Sequence, residues 1–100
     1  MEVIWKKRVK TSAEGEFDLQ LEDWSKSYND VPKGSTLAAY PVAKNDGDGY
    51  FTPKKGKTFR WDMWFDSRFE AEAAAKKIEA GMSLKKFADK LWNKEYAECI

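Results

Sequence analysis

The sequence predicts a single α+β domain spanning residues 1–100: a small antiparallel sheet of about four strands, followed by two C-terminal helices packed on one face. Three observations carry this expectation. Apolar and polar residues alternate in the first quarter of the chain and again over Thr58–Phe65. Helical spacing of apolar residues is confined to the last third. Hydrophobic residues at 42%, with aromatics at 15% including five Trp, supply one modest core, and 100 residues leave no room for a second.

The first two strands come from the opening residues. In Val3 to Lys10, Val3, Trp5 and Val9 share one parity, and Lys6, Arg8 and Lys10 the other. Phe17, Leu19 and Leu21 then alternate with Asp18, Gln20 and Glu22. With Thr11–Gly15 as the loop, Val9 falls opposite Phe17, Trp5 opposite Leu21, Lys10 opposite Glu16 and Arg8 opposite Asp18. The basic run Lys6-Lys7-Arg8 therefore reads as one side of cross-strand ion pairs.

From Asp23 to Ser35 the chain gathers Ser, Asn, Asp, Pro and Gly, a loop composition that also holds Trp24 and Tyr28. Thr36 to Ala43 reads as a strand, placed at an edge by Pro41, which has no N–H for a ladder. Asn45–Gly49 is the strongest turn signal. Its DGDG core is no calcium loop, because Lys44 and Lys55 stand where carboxylate ligands belong. After Tyr50-Phe51-Thr52 and a second loop, Pro53 to Lys57, the strand Thr58–Phe65 puts Phe59, Trp61, Met63 and Phe65 on one face. The other face is Thr58, Arg60, Asp62 and Trp64, and only the last breaks its polarity.

Ser67-Arg68-Phe69-Glu70 reads as a capping box, with Ala71, Ala74, Ala75 and Ile78 following at helical spacing and Gly81 as the stop. Phe69 falls nearly opposite Ile78 on the wheel, on the face expected to be polar. Ser83 caps a second helix whose stripe is Leu84, Phe87, Ala88 and Leu91. Its wet side is Lys85, Lys86, Asp89 and Lys90, Trp92 borders the stripe, and Lys94–Ile100 forms a fraying tail.

Composition excludes several function classes. Without histidine there is no Ser-His-Asp triad and no HExxH zinc site, and the single cysteine, Cys99, can close no disulfide within the chain. Few cysteines and no secretory leader point to the cytoplasm, and no apolar run reaches the roughly 20 residues of a membrane span. Asp62 and Asp66 share a parity, yet a carboxylate pair needs a cleft to separate its pKa values, so no catalytic residue, metal or cofactor is expected. A formal charge of +1 writes neither a DNA mimic nor a strongly basic nucleic-acid binder into the totals.

Two resemblances point to nucleic acid. Gly81-Met82-Ser83 between two helical stretches resembles the turn of helix-turn-helix proteins, which makes Leu84–Trp92 the recognition helix and places Lys85, Lys86 and Lys90 at phosphates within the segment 67–94. Strands followed by a helix at Phe65–Ala73 resemble the arm-type DNA-binding modules of tyrosine recombinases, which would use a sheet face carrying Arg60. The leading expectation is different: a non-enzymatic module that binds another protein through Trp64, Phe69, Trp24, Tyr28 and Trp92, more large aromatics than one small core hides. In size and style the chain resembles the accessory proteins with which phages bind and block host or defence proteins.

Overall fold

The alternation of the first 24 residues builds the hairpin it predicts, β1 (Glu2–Thr11) against β2 (Gly15–Trp24). Its register pairs Val9 with Phe17, Trp5 with Leu21, Lys10 with Glu16 and Arg8 with Asp18, as the sequence requires. A computed structural model describes residues 1–26, 32–42 and 57–98, and their side chains except at 57–59 and 93–98. Tyr28, the Asn45–Gly49 turn, Tyr50–Thr52 and Cys99 lie outside the described residues.

The sheet is a five-stranded antiparallel meander in the order β1-β2-β3-β4-β5, with β3 (Gly34–Pro41), β4 (Lys57–Phe65) and β5 (Leu91–Glu98) completing it. Two features of β2 and β3 depart from expectation. The strands reach Trp24 and start at Gly34, so the loop between them is shorter than Asp23–Ser35. In addition β3 is the central strand, with Pro41 as its last residue. The ladder to β4 runs from Ser35↔Phe65 to Ala39↔Trp61 and stops short of Pro41, which pairs with Phe17 of β2, so its missing N–H interrupts no pairing with β4 and does not force the strand to an edge.

One face of the sheet is the core. Phe17, Leu19, Leu21, Leu37, Ala39, Trp61, Met63 and Phe65 are buried there, with Ile4 and Trp5 packed at the border. Helix α1 (Arg68–Glu79) covers this face through Ala71, Ala74, Ala75 and Ile78, and the small alanine side chains let its axis approach the strands closely. Both ends of α1 are where the sequence puts them. Ser67 accepts a hydrogen bond from the Glu70 N–H, and a Schellman pair closes the last turn, Gly81 N to Ile78 O at 2.9 Å and Met82 N to Lys77 O at 3.0 Å. Gly81 has φ 111°, a conformation that favours glycine.

The second helix is the main correction. Ser83 caps it by accepting from Lys85 N, but Leu84–Lys90 is a 3-10 helix broken at Phe87, and the chain from Leu91 enters β5. The predicted tail is therefore mostly strand, paired with β4 from Met63↔Leu91 to Lys57↔Glu98. Pairing satisfies the backbone groups along the free edge of β4, and this outweighs the helical spacing of Leu84, Phe87, Ala88 and Leu91. No recognition helix remains for a helix-turn-helix, and the sheet has five strands where about four are expected, the fifth following the helices.

The hairpin turn is tied to this segment. The Glu14 carboxylate is fully buried and accepts from Thr11 Oγ1 at 2.6 Å, Ser83 Oγ at 2.6 Å and Leu84 N at 2.9 Å. It thus caps the 3-10 helix from a residue 70 positions away in sequence.

Candidate functional site

Helix α1 and the 3-10 helix both lie on the core face, and the other face of the sheet carries polar and charged side chains, Glu22, Thr36 and Asp62 among them buried. Register places Lys6, Arg8 and Lys10 on it from β1, Glu16, Asp18, Gln20 and Glu22 from β2, Thr36, Ala38 and Tyr40 from β3, and Arg60, Asp62 and Trp64 from β4. Charged partners alternate across the strands. Arg8 binds Asp18 at 2.6 Å and Glu16 at 2.8 Å, while Lys6 lies over the Tyr40 ring. The third member of the basic run, Lys7, faces the other way and meets Glu79 of α1 at 3.2 Å.

The centre of this face is a closed polar network. Arg60 Nε donates to both oxygens of Asp62 at 2.8 Å, its Nη1 to the Tyr40 hydroxyl, and its Nη2 to Glu22 at 3.4 Å. Glu22, fully buried, also accepts from Gln20 Nε2 at 2.6 Å, Thr36 Oγ1 at 2.9 Å and Trp24 Nε1 at 3.3 Å. Burial of Arg60 opposes its charge. The hydrogen bond and charge of Asp62, with Tyr40 and Glu22 behind them, outweigh that penalty and raise the guanidinium pKa above its usual value. Arg60 is therefore committed to the fold. Asp62 is committed with it, and Asp66 sits beyond the end of β4.

At one end of the sheet the polar network gives way to aromatic residues. Trp24 closes β2 opposite Gly34, and Trp64 lies across the Gly34 backbone, so close that a Cβ built there would sit 2.5 Å from Trp64 Cζ2. Trp92, first reached as β5 leaves the 3-10 helix, meets Trp64 with ring centroids 6.1 Å apart and planes tilted by 44°.

Two clefts adjoin this aromatic end. A cleft of ≈ 270 Å³ is lined by Trp64, Asp66, Asp89, Lys90, Leu91 and Trp92. A second, of ≈ 390 Å³, lies between α1 and the 3-10 helix, with Phe69, Ala73, Lys77, Lys86 and Phe87 on its walls, and it shares Asp89 and Lys90 with the first. Phe69 is 81% exposed and Trp92 49% exposed, the two largest exposed aromatics among the described residues. Phe69 occupies the first turn of a capped helix, and Trp92 sits at the register shift of β5, between Leu91, which pairs with Met63, and Asn93, which pairs with Asp62.

The structure thus gathers Trp64, Trp92 and Phe69 with Lys86 and Lys90, sets Trp24 across Gly34 from Trp64, and leaves Lys85 on the solvent side of the 3-10 helix. Glu14 is the residue that sequence reading misses, while Asp66 enters it only beside Asp62, and Asp89 only as a solvent-facing position. Nothing local marks Glu14, whose partners lie 70 residues on, and the two aspartates become neighbours only when the 3-10 helix returns to the end of β4. Among the described residues no group of three His, Cys, Asp or Glu could hold a metal, and no helix is long and apolar enough to cross a membrane. Compared with known proteins, the chain matches no family model, no curated protein and no solved structure.

Proposed function

We propose that this chain is a non-enzymatic protein-binding module that docks through the aromatic end of its sheet and blocks its partner, in the manner of a small phage accessory inhibitor. One observation carries the reading. Phe69 and Trp92, large and exposed, line two adjoining clefts at one end of the molecule. Aromatic anchors of this kind supply most of the energy of protein interfaces, because they bury much area and lose little side-chain entropy.

The charge pattern supports a protein partner over nucleic acid. On the sheet face opposite α1, Arg8 is held by Glu16 and Asp18 and Arg60 by Glu22 and Asp62, so neither guanidinium is free for a phosphate. The larger cleft is mixed in charge, with Lys77, Lys86 and Lys90 beside Glu70 and Asp89.

The test is affinity capture from a bacterial lysate with the full chain as bait, read by mass spectrometry beside a Phe69→Ala, Trp92→Ala bait. A partner held by the first and lost by the second supports the reading. Binding to generic DNA at about 50 mM salt, with an affinity falling by roughly 0.9 log units per neutralised phosphate for each log unit of salt, replaces it with the nucleic-acid alternative.

A further inference from the structure

We infer that the smaller cleft is an arginine-binding subsite: it takes the guanidinium of a partner protein against Trp92 and between Asp66 and Asp89. The inference rests on the interface reading above and names the partner's chemistry. Three features of the cleft converge on this ligand. Its aromatic wall is two indoles already in contact at 6.1 Å, so a ligand packs on their open sides, where the ring face attracts a cation. Its polar groups are two exposed carboxylates, Asp66 and Asp89, with no ion pair or hydrogen bond to either among the described residues. Its one cation, Lys90, makes no ion pair with them, and two carboxylates against one ammonium leave the cleft negative.

Several other surface carboxylates are already paired. Glu16, Asp18, Glu72 and Glu79 are occupied by Arg8, Arg68 and Lys7. Arginine fits better than lysine, because a planar guanidinium stacks on an indole while its edge donates to carboxylates, whereas an ammonium is a compact, strongly hydrated point charge. The neighbouring cleft, with Phe69 and Phe87 on its walls, is placed to receive an apolar side chain adjacent to that arginine.

The experiment uses the full chain and three capped tripeptides, Ac-Gly-Arg-Gly-NH2, its citrulline isostere and its lysine analogue, titrated while the five tryptophan indole N–H signals are followed by NMR. The expected result is saturable movement of the Trp92 and Trp64 signals with the buried Trp61 signal fixed. The arginine peptide should bind at least about tenfold more tightly than citrulline. The preference should vanish in an Asp66→Asn, Asp89→Asn variant, whose substitutions are exposed and leave the Trp61 signal in place. Equal binding of citrulline, a preference that survives the double substitution, or no movement of Trp92 overturns the inference. A captured partner that needs Trp92 but ignores the double substitution also overturns it, while leaving the interface reading intact.

Discussion

Trp64 packs across Gly34, and the glycine is what lets it do so. A Cβ at Gly34 would fall 2.5 Å from Trp64 Cζ2 and 2.5 Å from the Phe65 carbonyl oxygen. Covering a strand glycine with a neighbouring indole shields its backbone from water, so Trp64, the one apolar residue on a polar strand face, belongs partly to the fold.

Gly34→Ala is therefore expected to destabilise by about 1 to 3 kcal/mol, the usual range for forcing a methyl into a filled site. Adding Trp64→Ala removes one of the two clashes and leaves the backbone oxygen, so urea denaturation should show only partial recovery in the double variant.

Glu14→Ala leaves Leu84 N and Ser83 Oγ without their buried acceptor. The expected cost is about 1 to 3 kcal/mol for each group that stays unsatisfied, measured by chemical denaturation. Hydrogen exchange should localise the damage, with faster exchange at the Leu84 amide while the β2–β3 ladder stays protected.

Trp61 is fully buried under α1, and Trp61→Ala should cost roughly 3 to 5 kcal/mol. A loss below about 1 kcal/mol would mean that this strand presents its other parity to the core.

Arg60→Leu strands Glu22 and Asp62, both buried, without their cation, and a loss of about 3 to 5 kcal/mol is expected at neutral pH. Folding raises the Arg60 pKa, so the contribution of its own titration is complete at every pH below the unfolded value and is lost only as pH rises through the folded one. The guanidinium itself thus adds no slope to wild-type stability between about pH 5 and 9.

Phe69→Ala should change stability by no more than about 0.5 kcal/mol, because the side chain is exposed, and Trp92→Ala by about 0.5 to 1.5 kcal/mol through loss of the Trp64 contact. Loss of partner binding by at least about 2 kcal/mol in calorimetry marks them as anchors. Unchanged binding in both variants would move the interface away from this end of the sheet.

The sequence alone determined the features that depend on neighbours a few residues apart or on simple alternation. Phe17, Leu19 and Leu21 beside Asp18, Gln20 and Glu22 set the hairpin register, Trp61, Met63 and Phe65 set the core face of β4, and Ser67 and Gly81 bounded α1. The exposed position of Phe69 followed from its angle to Ile78 on the same helix. Tertiary structure decided whatever depends on distant backbone. Leu84 to Leu91 has helical spacing, yet hydrogen bonding along β4 draws the chain from Leu91 onward into a fifth strand, and Pro41 ends a central strand because its ladder to β4 stops first. The same long-range pairing carries Trp92 to Trp64 and Asp89 into one cleft with Asp66. Local spacing encodes which face a residue takes; which other face it meets is settled by sheet order and by the backbone groups that must find partners.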